Sequence, residues 1–237
     1  DRMRSSRNGK GSYDLIVPKF LKLIAQRDKN KDYYVRGTFT HENLDFSQDV
    51  LSIADLGVDS ISVEPVTADD SDPYALREED LPTIYAEYEK LAKIMLQRKD
   101  FHFFHFNVDL TQGPCVIKRM RGCGAGCEYV AVTPDGDIYP CRQFVGKEEY
   151  RMGSILTDEF NMDIANTFAG LNIYTRDDCQ DCWARFYCSG GCSAANLNAN
   201  GDMKKPYKLG CDMQRKRLEC AIAMRAIEAG LAEIPRE

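Results

Sequence analysis

Ten cysteines mark this sequence, at positions 115, 123, 127, 141, 179, 182, 188, 192, 211 and 220. The densest run, CQDCWARFYCSGGC, spaces four thiols as Cys179-x2-Cys182-x5-Cys188-x3-Cys192. Cys123-x3-Cys127, Cys141 and Cys211 bring the region to eight. Two [4Fe-4S] clusters take eight thiolates, four each, and so do two four-cysteine zinc sites; the count leaves both open. Disulfides are the weaker expectation, because no secretory signal is read in the chain. The neighbouring residues favour iron and sulfur. Trp183, Phe186 and Tyr187 lie between the thiols and are expected to exclude water. Ser189, Gly190 and Gly191 offer backbone N–H groups to sulfur, and Arg142 and Arg185 can offset thiolate charge. Cys115 and Cys220 are left over, the first a spare ligand or loop thiol, the second a small buried hydrophobe on the last helix.

The elements that must position these thiols fall into two halves. Before residue 115 there is no cysteine, and the pattern alternates helix and strand. SYDLIVPKFLKLIAQR (12–27) reads as a helix capped by Ser12, with Ile16, Phe20 and Ile24 on its inner face and Pro18 tolerable only if the helix starts late. DYYVRGTFT (32–40) is a strand, SQDVLSIADLG (47–57) a helix closed by Gly57, and DSISVEPV (59–66) a strand stopped near Pro65. A long helix over 78–99 carries the stripe Leu81, Ile84, Tyr88, Leu91 and Met95, and FHFFHFNVDL (101–110) is a third strand. Such alternation predicts parallel βα units with chemistry at the carboxyl ends of the strands. The second half differs: EYVAVTPDGDIYPC (128–141) is a hairpin turning at Pro134-Asp135-Gly136, and a helix over about 214–229 closes the chain. The expected domains are 1–112 and 113–237.

Composition narrows the function. The net charge of -6 offers no general attraction to nucleic acid or an anionic membrane, and the basic run Lys118, Arg119 and Arg121 is a local feature. No apolar run approaches the roughly 20 residues a membrane span needs. His102 and His105 lie an odd number of positions apart on a strand and make a poor metal pair, while His41 follows the Arg36 strand and is placed near its cavity. The carboxylates of ADDSD (68–72) read as a solvated loop.

The pattern Cys123-x12-Gly136-x4-Cys141, followed by the 179–192 run and Cys211, resembles the seven-cysteine signature of SPASM domains. These follow radical S-adenosylmethionine (SAM) barrels and hold two auxiliary [4Fe-4S] clusters. The resemblance implies an α/β fold: the C-terminal part of a radical-SAM partial (β/α)6 barrel, then a small cysteine-rich SPASM domain with a β-hairpin and two Fe-S clusters. GCGAGCEYVAVTPDGDIYPCRQFVG and CWARFYCSGGCSAAN are more specifically similar to maturases of cysteine-rich SCIFF precursor peptides. That family implies cleavage of SAM to a 5′-deoxyadenosyl radical, hydrogen abstraction from a residue of a ribosomally made peptide, and a thioether bond from a peptide cysteine to carbon. The Cys-x3-Cys-x2-Cys loop that binds the SAM-cleaving third [4Fe-4S] cluster is not in these residues, so the sequence reads as a C-terminal fragment, inactive alone.

By the same analogy the clusters interleave, with Cys123, Cys127, Cys141 and Cys192 on the first and Cys179, Cys182, Cys188 and Cys211 on the second. Cys123 and Cys127 compete for one place; with only one as ligand, the first cluster keeps an iron open to a substrate thiolate. Arg36 and Thr38, on one face of their strand, are the expected SAM contacts, Arg36 otherwise pairing with an acid. Glu64 and Pro65 end the next strand. Implied partners are the precursor peptide and a reductase or ferredoxin electron donor, in a reducing cytoplasm. The alternatives are an anaerobic sulfatase-maturating enzyme, another peptide-modifying SPASM enzyme, and a non-catalytic zinc or electron-transfer module. Sulfatase maturases carry an aspartate base directly after the hairpin cysteine; here that position is Arg142, which cannot act as a base.

Overall fold

A computed structural model describes residues 1, 6–28, 31–69, 71–110 and 119–233. Cys115 and Lys118 lie outside the described residues. The first half forms a three-stranded parallel sheet, β1 (Val35–Phe39), β2 (Ser60–Pro65) and β3 (His102–Phe103), in that order. Helices α2 (Phe46–Asp55) and α3 (Leu81–Gln97) make the crossovers. Each closes a βαβ unit, which is why the sheet is parallel. Gly57, at φ +85, donates to Ala54 O and ends α2 as expected.

One face of the sheet is dry. Phe39, Phe46, Val50, Ile61, Val63, Ile84, Tyr88, Leu91 and Phe103 are buried in one core. The other face of β1 carries Arg36 and Thr38, both exposed, and register sets Arg36 beside Ser62 and Thr38 beside Glu64. Gly37 sits between them because a Cβ there would come within 3.2 Å of Val63 Cγ2.

Several expectations are corrected. The helix α1 (Tyr13–Gln26) runs straight through Pro18, and Ser12 makes no side-chain cap bond. Phe20, Leu21 and Ile24 pack against the core, while Ile16 is exposed. The third strand stops after two residues. Phe104–Phe106 then winds into a 3-10 turn, which swings Phe106 and Val108 into the core beside the last helix. His105 therefore does not obey strand alternation.

The second half is a three-stranded antiparallel sheet, β4 (Ala131–Val132), β5 (Asp137–Tyr139) and β6 (Gly153–Ser154). Its hairpin turns at Gly136, φ +90, as the Pro-Asp-Gly signal predicts. The helices α4 (Met162–Gly170), α5 (Arg185–Cys188), α6 (Ser193–Asn200) and α7 (Lys208–Glu228) follow. Helix α7 begins earlier than the apolar pattern suggests, so Cys211 lies on its first turn. Leu209, Met213, Leu218, Cys220, Ala221 and Met224 on α7 join the core of the first half. Cys220 is thus the buried hydrophobe expected. A second, smaller core gathers Tyr139, Phe144, Phe168, Leu171, Ala194 and Met203 around Cys141.

Candidate metal centre

The nine described cysteines carry no disulfide. Their placement follows from short, tightly turned connections. Cys141 ends the hairpin and accepts hydrogen bonds from the N–H groups of Gln143 and Phe144. Cys188 ends α5, where Ser189 (φ +61), Gly190 (φ +87) and Gly191 (φ +73) are all left-handed. That turn aims the N–H groups of Gly190 and Gly191 at Cys188 sulfur, as expected, while the Ser189 N–H, expected there too, donates to Arg185 O at 2.8 Å.

The thiols divide into two sets by which feel one another. Cys141 lies in the field of Cys192 and Cys123. Tyr129 shares that field and its hydroxyl lies 3.5 Å from Cys123 Sγ. Cys127 stands apart: its charged neighbours are Arg121 and Glu128, and its Sγ donates to Ala165 O at 3.5 Å. It still shares the wall of one cleft with Cys123 and Arg176. The other set is Cys179, Cys182, Cys188 and Cys211. Burial and then the Cys188 thiol push Cys179 up to about 11. Burial and then Cys188 push Cys211 up to about 12. Ligation at neutral pH therefore releases protons.

The donor set suits a thiolate-bound cluster. Cysteine thiolates hold either iron-sulfur clusters or zinc. Three buried guanidinium nitrogens, the Nε atoms of Arg176, Arg185 and Arg217, lack a hydrogen-bond partner. All three belong to residues in or against the thiol region, where an anionic sulfur body would supply acceptors. Arg185 also lies 4.8 Å over the Phe186 ring. Arg142 is exposed, and Trp183 turns outward at 50% exposure, while Ala184 beside it is buried in the core of the first half.

Residues 123–183 match the SPASM family, described as an iron-sulfur cluster-binding domain. The chain also has the fold of anSMEcpe, an anaerobic sulfatase-maturating enzyme solved with bound AdoMet. The TM-score is 0.64 at 14% identity, covering 97% of this chain and 62% of that one. A second anSMEcpe structure, with AdoMet and the Cp18Cys peptide, gives TM-score 0.65 at 14% identity, covering 97% of this chain and 66% of that chain. An uncharacterized protein of Archaeoglobus fulgidus is 32% identical over 103 residues, 40% of this chain and 23% of its own length. The chain thus spans less than two thirds of each.

The remaining candidates sort by position. Arg36, exposed on β1, is ion-paired with the half-buried Glu64 of β2. Thr38 lies on the same face, in register with Glu64. His41 is tied to the buried Asp80 by Nδ1 at 2.9 Å. His102 is exposed and His105 faces inward, toward Ser62 and Arg217. Asp69 and Asp72 make turn bonds to Ser71 and Tyr74, as a solvated loop would. Among the described residues no helix is long and apolar enough to cross a membrane. Sequence reading missed Arg176 and Arg217; a lone arginine near cysteines carries no signal separating it from a surface one.

Proposed function

We propose that this chain is part of a radical-SAM enzyme that forms cysteine-to-carbon thioether crosslinks in a ribosomally made, cysteine-rich peptide. What supports the reading is how the thiols interact by charge: Cys179, Cys182, Cys188 and Cys211 act on one another, a quartet, whereas Cys141 is acted on by Cys123 and Cys192, a trio without Cys127. Three thiolates leave one corner of a four-iron cluster free. A peptide thiolate is the matching ligand, and Cys127, on the wall of the same cleft, marks where it would enter. When bound, the auxiliary clusters supply iron to hold that sulfur and a sink for the electron released as the bond forms.

The chain's own residues position the reactants. Arg36 and Thr38 offer the exposed β1 face to the SAM carboxylate and ribose, and Glu64 holds the Arg36 guanidinium in place. The residues around Cys188 direct backbone N–H groups at sulfur, which tunes potential. The peptide, a reductase or ferredoxin donor, and a reducing cytoplasm complete the reading.

The fold shared with anSMEcpe supports sulfatase-type oxidation as a second reading. Arg142 separates them, because a guanidinium cannot take the proton that such an oxidation releases. The test has two stages. Anaerobic reconstitution of this chain is expected to load about eight irons and eight sulfides; zinc without acid-labile sulfide would refute the cluster reading. An active enzyme containing this chain should then remove two hydrogens from a cysteine-rich peptide per crosslink and block that cysteine against alkylation. Formylglycine as product would establish the second reading instead.

A further inference from the structure

Arg176 is buried, 3% exposed, with no carboxylate among its partners in the described residues. Its Nη1 donates to the Met203 carbonyl and its Nη2 to Ser193 Oγ at 2.8 Å. Both acceptors are neutral, and Nε has none. A buried cation without an anionic partner is costly, so a counter-charge belongs at this point.

The surroundings identify it. Arg176 lies three positions before Cys179, and its bonded Ser193 follows Cys192 directly. A Cβ on Gly190, midway between Cys188 and Cys192, would lie 2.8 Å from Arg176 Cδ and 2.9 Å from Nε. The guanidinium therefore lies against the backbone that joins the two thiol sets, and Gly190 leaves room for it. It also lines the cleft that holds Cys123. Its electrostatic neighbours are Cys179 and Cys188 of one set and Cys192 and Cys123 of the other.

We propose that Arg176 is a positioning residue shared by the two thiol sets, its Nε–H directed at their sulfur and its single charge raising the reduction potentials of both clusters together. This rests on the cluster reading above. Reduction adds an electron to an already anionic body, and a fixed cation in a low-dielectric interior stabilises the reduced form. One guanidinium between two such bodies acts on both couples.

The test is potentiometry of this chain, anaerobically reconstituted, as wild type, Arg176→Gln and Arg176→Lys, with circular dichroism and iron content measured alongside. In Arg176→Gln both couples should fall by at least tenfold in the reduction equilibrium, about 59 mV for one electron. In Arg176→Lys, which keeps the charge and loses Nε, both should fall by a smaller amount, at least twofold or about 18 mV. If Arg176→Gln does not fold, the Lys variant decides alone. A loaded variant in which one couple or neither moves overturns the proposal and leaves the cluster reading intact. Loss of loading in both variants assigns Arg176 a purely structural role and overturns it too. Wild type holding zinc without sulfide overturns both readings at once.

Discussion

His105 Nδ1 lies 2.7 Å from Nη1 of Arg217. A guanidinium only donates, so Nδ1 is the acceptor and the ring proton sits on Nε2. That nitrogen faces Ser62 Oγ at 3.4 Å, Ser62 Oγ lies 3.2 Å from Glu64 Oε1, and Glu64 pairs with Arg36. At the other end Arg217 lies in the field of Cys188. A hydrogen-bonded chain thus runs from Arg217 through His105 and Ser62 to the Glu64–Arg36 pair, and charge interaction alone relates its Arg217 end to Cys188.

The ring is held neutral. Burial, then Arg217 and Arg36, push the His105 pKa down to about 2 from its ordinary 6.5. Below pH 6.5 the unfolded chain binds a proton that the folded chain refuses, so stability falls as pH drops from 6.5 toward 2. The slope approaches about 1.4 kcal/mol per pH unit for this one group. Urea unfolding at pH 7.5, 6.5 and 5.5 should show the loss in wild type and a shallower dependence in His105→Gln, which retains an acceptor for Arg217.

His105→Ala removes the acceptor altogether. Arg217 already carries a buried Nε without a partner, and the variant leaves a second guanidinium nitrogen unsatisfied. The expected cost is about 1–3 kcal/mol at pH 7.5, more than that of His105→Gln in the same urea titration. Equal costs would mean that the Arg217 contact contributes nothing.

Cys123 and Cys127 should respond differently to alanine. Cys127→Ala is expected to keep both clusters, since its sulfur bonds Ala165 O and lies outside the field shared by Cys123, Cys141 and Cys192. Cys123→Ala should lose about four irons per chain. Iron and acid-labile sulfide after anaerobic reconstitution measure both, and the opposite order would reassign the ligand.

Gly153 has φ +143, and a Cβ there would lie 2.0 Å from Glu159 O, a backbone atom that cannot move aside cheaply. Gly153→Ala should therefore displace β6 from β5. The expected loss is about 2 kcal/mol or more, from strain and clash together. The midpoint of thermal unfolding reads it; an unchanged midpoint would show that the segment shifts freely.

Much of the frame was legible locally. Of the expected stripe, Ile84, Tyr88, Leu91 and Met95 are buried as helical spacing predicts, while Leu81 at the helix start is only partly so, and the Pro-Asp-Gly turn forms where written. Such signals survive because they depend on residues within a few positions of one another. Where long-range packing competes, they fail. FHFFHFNVDL reads as a strand, yet α7 packs against its far end and the chain turns at Phe104 to bury Phe106.

The same division holds for the site. Residue type and spacing alone determined that a thiol-rich region follows a βα pattern, because cysteine chemistry and hydrophobic period are properties of the residues themselves. Only the tertiary structure decided which thiols share a field, that Cys127 stands outside one, and that Arg176 lies uncompensated against the turn joining both sets. Cys123, Cys141 and Cys192 meet through a hairpin and several tight loops, and proximity across such separations depends on how the whole chain closes. Short-range sequence pattern carries no record of that closure.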